Sequence, residues 1–131
     1  MGSSKKKGDT YDLQIIIASG EEDLHRAALG FATAVSGAIS GMKVVVFLAM
    51  RGSVWAMDSH ENDKVALPGF ESVAEYVSVL LENGGQIEVC SGCLSNGCTL
   101  PVSEGSIRSG IGVAGLTAVA ARMGAVPTVT F

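Results

Sequence analysis

Val44-Val45-Val46-Phe47-Leu48 is an uninterrupted apolar run dominated by β-branched side chains. This composition is typical of a strand that is buried on both faces, as the strands of parallel sheets are. A second run of this kind, Leu13–Ala18, is rich in isoleucine and lies between Asp12 and the dipeptide Ser19-Gly20. The two runs predict interior strands of a sheet that is covered on both sides.

Helical periodicity separates the predicted strands. Acidic residues 21–23 suit a first helical turn, and apolar side chains then recur at intervals of three and four, which predicts an amphipathic helix ending near Gly41. A second helix is predicted to begin at Pro68, to place Phe70 on its apolar face and to end at Asn83-Gly84-Gly85. The remaining predicted elements are a strand at Gln86–Val89, a glycine-rich strand or turn at Ser109–Ala114, a helix through Met123 and a last strand at Val126–Phe131.

The order of these elements predicts the fold class. Strands that alternate with helices of this length indicate βαβ crossovers and a parallel sheet. We therefore predict a three-layer, flavodoxin-like α/β fold, with a mostly parallel sheet of about five strands and helices on both faces. In such sheets ligands bind beyond the carboxyl ends of the strands, where the sequence places Ser19-Gly20, Met50-Arg51-Gly52 and Cys90.

Length and charge narrow the class of protein further. The chain has 131 residues, 47% of them hydrophobic, and a net charge of -4, which suits one domain over residues 11–131 and disfavours nucleic acid as a partner. Residues 1–10 carry a lysine run without an apolar segment, so we expect a disordered leader or a cloning remnant. No membrane span or secretory signal is predicted, and we expect a cytoplasmic protein. A mean hydropathy of +0.38 in a small domain favours self-association.

The candidate site is Cys90-Ser91-Gly92-Cys93-Leu94-Ser95-Asn96-Gly97-Cys98, which we expect to be a loop after the third strand. A thiolate is both a nucleophile and a metal ligand, so a working cysteine requires partial exposure and nearby positive charge or backbone N–H donors. We take Cys90 and Cys93 as the catalytic candidates. The residues expected to support them are Cys98, Ser19, Gly20, Arg51, Gly52, Gly92 and His25, with Arg108 as a further candidate cation.

Other interpretations of the cysteines stay open. The three thiols lack a fourth ligand for a closed zinc or iron–sulfur site unless His25, His60 or a second subunit completes it, so no metal and no cofactor is expected. Cys90 and Cys93 also have the spacing of a redox dithiol, and buried cysteines often serve only as packing. Gly110-Ile111-Gly112-Val113-Ala114-Gly115 matches a dinucleotide pattern, but no acid follows at the distance needed to bind a ribose, which favours turns or close backbone approach.

The sequence resembles the DsrE/DsrF/TusD-like family of sulfur-handling proteins over residues 13–131. The resemblance rests on the order and spacing of short segments, which are residues 19–27, Val46-Phe47-Leu48 with Gly52, residues 89–97, residues 110–115 and Val129-Thr130-Phe131. It implies a flavodoxin-like fold, homo-oligomers such as trimers or hexamers, and a persulfide-carrying cysteine after the third strand. Cys90 matches that cysteine, although TusD-like members have alanines and two arginines before the next glycine, where this chain has Ser91-Gly92-Cys93-Leu94-Ser95-Asn96.

We therefore expect a small sulfur-transfer protein in which Cys90 carries a persulfide and Cys93 resolves it or acts as a second carrier. Its partners would be sulfur donor and acceptor proteins, and its activity that of a sulfurtransferase. The alternatives are a non-catalytic oligomeric module that binds a small molecule or protein at the strand ends, under the polar loop Asp58–Lys64, and a cysteine metal site.

Overall fold

A computed structural model of the protein describes residues 11–58, 63–96 and 107–131. The strands are β1 (Leu13–Ile17), β2 (Val44–Leu48), β3 (Gln86–Cys90), β4 (Ile111–Ala114) and β5 (Thr128–Thr130). The α-helices are α1 (Leu24–Ile39), α2 (Val73–Glu82), α3 (Ser91–Asn96) and α4 (Leu116–Met123), and 3-10 helices cover Glu21–Asp23 and Met50–Ala56. Within these ranges no helix has the length and apolar character needed to cross a membrane.

The five strands form one parallel sheet in the order β4-β3-β2-β1-β5. The central strand, β2, is buried along its whole length, as its apolar composition predicts. Its neighbours are β1 and β3, with Ile17 and Val89 both in register with Leu48. The predicted α/β fold with about five parallel strands is therefore confirmed, and the carboxyl ends of β1, β2 and β3 lie together at one edge.

One face of the sheet holds the main hydrophobic core. The inward side chains of α1 and α2 pack there on alternate residues of the strands, such as Ile15, Val46 and Val89. Asp23 begins α1 as its N-cap, and Gly41 follows the helix with a φ of 98°, which glycine adopts without the steric cost of a Cβ. These two helices supply one outer layer of the predicted three.

The opposite face is covered by the shorter helices α3 and α4, and it is partly polar. Phe47, Cys90, Cys93 and Val119 form a small apolar cluster between the sheet and these helices. Nearer the amino ends of the strands, Arg122 on α4 pairs with Glu88 on β3 and donates from Nε to Gln14 Oε1 at 2.7 Å. The predicted helices on both faces are thus confirmed. The hydrophobic core under α1 and α2 is larger than the one under α3 and α4.

Two local predictions are wrong. The second helix begins at Val73 instead of Pro68, because the Ser72 hydroxyl caps it by accepting a hydrogen bond from the Glu75 N–H. Phe70 lies before that helix in the chain and is a partly buried side chain that packs against the main core. The cysteine segment is not a loop from its start, because α3 begins directly after Cys90.

Candidate functional site

The two candidate catalytic thiols lie at the junction of β3 and α3. Cys90 is the last residue of β3, and Cys93 lies on the first turn of α3. Both are free cysteines with 5% of their surface exposed, and both pack in the apolar cluster with Phe47 and Val119. The strand-to-helix turn therefore brings Cys90 and Cys93 into one site. Their burial differs from the partial exposure that the sequence analysis expected.

The sulfur of Cys93 accepts a hydrogen bond from the end of the neighbouring strand. The main-chain N–H of Met50, just after β2, donates to Cys93 Sγ with an N···S distance of 3.0 Å. Met50 has a φ of 51°, and it is the one non-glycine residue with a positive φ among those described. A backbone N–H donor stabilises a thiolate more than a neutral thiol, because the negative charge strengthens the hydrogen bond. Sequence reasoning missed this partner.

The three candidate cations make no hydrogen bond to the cysteine sulfurs among the described residues. Arg108 forms an ion pair with Asp63, with 2.7 Å between Nη2 and Oδ2, and its Nε donates to the carbonyl oxygen of Trp55 at 2.8 Å. Arg51 and His25 are exposed, the first in the 3-10 helix after β2 and the second on the first turn of α1. The local support for a sulfur anion is therefore a main-chain dipole.

Gly20 and Gly52 hold the strand ends together by close backbone approach. A Cβ at Gly52 would collide with the carbonyl oxygen of Ile17, and one at Gly20 would lie 2.6 Å from the carbonyl oxygen of Arg51. The Gly20 N–H donates to both carboxylate oxygens of Glu22, at 3.0 and 3.1 Å. These glycines therefore fix the loop after β1 against the 3-10 helix that carries Met50.

Ser19 and Gly92 have different surroundings. Ser19 is buried, its carbonyl oxygen accepts from Trp55 Nε1 at 2.9 Å, and its hydroxyl has no hydrogen-bond partner among the described residues. Gly92 is exposed on α3, and a Cβ there would lie 3.8 Å from Cys90 Sγ, an ordinary contact. Trp55 is fully buried, as a structural aromatic residue would be.

Two of the alternatives are only partly covered by the structure. Cys98, His60 and most of the Asp58–Lys64 loop lie outside the described residues. Among the residues that are described, no group of three or more His, Cys, Asp or Glu side chains is arranged to hold a metal ion. In the glycine pattern, Gly110 has a φ of 93°, so this glycine serves a turn. A Cβ at Gly112 would meet no atom within 4 Å, so no close backbone approach requires a glycine there.

A shallow, open depression of about 430 Å³ lies at the carboxyl ends of β1 and β5. It is lined by Ala18, Ser19, Glu22, Asp23, Arg26, Thr130 and Phe131. Its position is the edge of the sheet at which ligands bind in parallel α/β folds. The described residues therefore offer two features at this edge, the thiol pair beside β2 and β3 and the shallow depression beside β1 and β5.

The parallel sheet and the thiol pair define a small α/β domain with a cysteine site at the carboxyl edge of its strands. A family model described as the DsrE/DsrF-like family matches residues 13–125. The chain belongs to this family, which is generally connected with sulfur relay.

A solved structure supports the same fold. The chain is similar to the crystal structure of the ychN protein from E. coli, with a TM-score of 0.70 and 12% sequence identity, over 93% of this chain and 100% of that one. At this identity the likeness shows the fold and not the activity. Among curated proteins, none matches the sequence.

Proposed function

We propose that the protein is a sulfur carrier in which a thiol of the Cys90–Cys93 pair holds a sulfane sulfur as a persulfide. The observation that carries this proposal is the hydrogen bond from the Met50 N–H to Cys93 Sγ, in a site that contains two thiols at the edge of the sheet where parallel α/β domains react. Membership of a family connected with sulfur relay supports it. Cys90 is the candidate by resemblance, and Cys93 is the candidate by its hydrogen bond.

The transfer requires no oxidant. A cysteine thiolate attacks the outer sulfur of a donor persulfide, the sulfur–sulfur bond of the donor breaks, and the donor leaves as a thiolate. The new bond leaves the outer sulfur on the protein as a Cys–S–SH group. An acceptor thiolate then attacks that same outer sulfur, which restores the protein thiolate and completes the transfer.

Proteins that act as donor and acceptor are part of this proposal, and so is a homo-oligomer such as a trimer or hexamer. The outer surface of α4 supports self-association, because Leu116, Ala120 and Met123 form an exposed stripe at helical spacing. Leu116 is 66% exposed and Met123 is 51% exposed, and these two large apolar side chains lie on one face about two turns apart. A second copy would cover them.

Mass spectrometry of the intact protein tests the carrier chemistry. The protein is treated with glutathione persulfide, and the mass is compared with that of the Cys90→Ser, Cys93→Ser and doubly substituted forms. The proposal expects a gain of one sulfur atom that a reductant removes and that the double substitution abolishes. A protein that gains no sulfur with both thiols intact would contradict the proposal.

A non-catalytic binding module is the second candidate. The near-complete burial of both sulfurs among apolar side chains favours it, since packing alone explains such cysteines, and the shallow depression beside β1 and β5 offers a surface for a ligand. It predicts alkylation of Cys90 and Cys93 at the rate of exposed model thiols or slower. Faster alkylation of one cysteine in the native protein, lost on unfolding, would rule this candidate out.

A further inference from the structure

We infer that Met50 is a positioning residue of the thiol site: its left-handed backbone directs the main-chain N–H at Cys93 Sγ and makes Cys93, not Cys90, the sulfur that accepts a sulfane sulfur. The inference rests on the proposed function, and it assigns the two thiols different parts in it. It also transfers the loading step from the residue that the family resemblance indicates to its neighbour three positions further on.

The conformation of Met50 has no explanation in the packing of its own side chain. A positive φ is sterically unfavourable for a residue with a Cβ, and the Met50 side chain is 60% exposed, so little burial offsets that cost. Backbone strain of this kind persists only where surrounding structure imposes it, and it concentrates at functional sites. The feature that the conformation creates is the N–H donor to sulfur.

The surrounding backbone holds Met50 in place from both sides. The Ala49 N–H donates to the Ile17 carbonyl oxygen at 3.1 Å, and the Gly52 N–H donates to the Ala49 carbonyl oxygen at 2.8 Å. The hydroxyl of Ser53 donates to the Met50 carbonyl oxygen, also at 2.8 Å. With Gly52 packed directly on the β1 backbone, the turn has little freedom to withdraw the N–H from the sulfur.

The hydrogen bond distinguishes between two thiols that are otherwise alike. Cys90 and Cys93 have equal exposure and share one cluster, yet from the described part of the chain only Cys93 Sγ receives a hydrogen bond. Its N···S distance of 3.0 Å falls in the range of N–H···O bonds although sulfur is the larger atom. We assign to Cys93 the attack on the outer sulfur of a persulfide, because the Met50 N–H is placed to stabilise negative charge on Cys93 Sγ. The rest of the attacked persulfide leaves as a thiolate when its S–S bond breaks.

Substitutions at position 50 test this assignment through the backbone conformation that they allow. Gly and Asn adopt a positive φ readily, whereas the β-branched Val disfavours it, so Met50→Gly and Met50→Asn preserve the donor and Met50→Val withdraws it. Met42→Val is the matched control, because Met42 is also an exposed methionine but lies between α1 and β2, at the amino end of β2 and so at the opposite end of the strand from the thiol site. Circular dichroism and thermal melting establish that each variant is folded.

The readout is the alkylation rate of each cysteine, resolved by peptide mass spectrometry, alongside sulfur loading from glutathione persulfide. Met50→Val is expected to slow alkylation of Cys93 by about tenfold near pH 7, the worth of one charge-assisted hydrogen bond, and to leave Cys90 unchanged. Equal Cys93 rates in the Gly and Val variants would overturn the inference.

Replacement of Met50 by its α-hydroxy acid analogue, introduced by nonsense suppression, deletes the N–H alone and covers the case in which Met50→Val does not fold. It is expected to give the same selective loss of alkylation rate at Cys93, and an unchanged rate would again refute the inference.

The results distinguish failure of this assignment from failure of the proposed function. If sulfur loading depends on Cys90 and is the same in all position-50 variants, the assignment to Cys93 is refuted but the sulfur-carrier function is not. If the variants change the alkylation rate of Cys93 and the protein takes up no sulfur, the sulfur-carrier function is refuted.

Discussion

Arg122 Nη2 lies 2.7 Å from Glu88 Oε1, with both side chains mostly buried between α4 and the sheet. The same guanidinium donates from Nε to the buried amide oxygen of Gln14. Because α4 is short and contributes few large apolar residues, this ionic contact ties it to β3 and β1 across the thinner core.

Replacement of Arg122 by Met is expected to lower the free energy of unfolding by about 3 kcal/mol, because it leaves the Glu88 carboxylate and the Gln14 amide oxygen without their partner. Urea denaturation measures the loss. The double substitution Glu88→Met with Arg122→Met should recover much of it, since no unpaired charge remains buried. Single and double variants of equal stability would contradict this account of the contact.

Gly52→Ala is expected to destabilise the protein by about 3 kcal/mol, since the added methyl group collides with a backbone carbonyl oxygen that cannot rotate away. Gly112→Ala is the control, because its methyl group meets no atom and alanine suits a strand better by about 0.5 kcal/mol. Thermal melting of the two variants in parallel makes the comparison. A tolerated Gly52→Ala would mean that the Gly52 backbone lies further from the Ile17 carbonyl oxygen than in this structure.

Stability should depend on pH through Asp23. The Arg26 side chain, followed by the Arg26 N–H, holds the pKa of this carboxyl below its usual value by hydrogen bonds. A depressed pKa in the folded state contributes stability above the unfolded value of about 3.9, and the contribution disappears as the pH falls through the folded value. Asp23→Ala should therefore lower the melting temperature at pH 7 and have less effect at pH 3. A difference that stays constant between these pH values would show that the carboxylate charge has no part in capping.

The exposed stripe of α4 predicts the effect of charge on assembly. Leu116→Glu combined with Met123→Glu is expected to convert the proposed oligomer to monomer, as judged by light scattering coupled to size exclusion. Ile39→Glu is the matched control, because Ile39 is equally exposed but lies on α1 in the opposite layer. If only the Ile39 variant loses assembly, the interface lies on α1 and not on α4. If the wild-type protein is itself a monomer, the proposed oligomer is refuted.

The sheet could be predicted because its signals are local. Apolar β-branched runs and three-to-four periodicity are properties of neighbouring residues, and they gave β2 at its observed bounds. The start of α2 was misplaced because Phe70 continues the apolar spacing of the helix by coincidence, while the deciding signal was the Ser72–Glu75 spacing of a capping box. The helical start of the cysteine segment had no such signal, since Ser91 and Gly92 favour turns and tertiary contacts override them.

The thiol site was predictable only in part. Three cysteines in one short segment indicated where chemistry would lie, and the parallel topology placed Met50-Arg51-Gly52 at the same edge as Cys90. The left-handed backbone of Met50 could not be predicted, because methionine rarely adopts it and its cause lies in the packing of Gly52 against β1. No sequence signal marks the partner of Cys93 Sγ either, because that partner is a main-chain N–H, a group that every residue except proline carries.

The hydrogen bond between Met50 and Cys93 joins positions 43 residues apart, on segments that meet only when β2 and β3 are paired. In a nascent chain on the ribosome, or in an unfolding copy, Cys93 has no such donor. If Cys93 is the sulfur carrier that we propose, the contact that distinguishes it from Cys90 is therefore a property of the folded chain and not of its sequence neighbours.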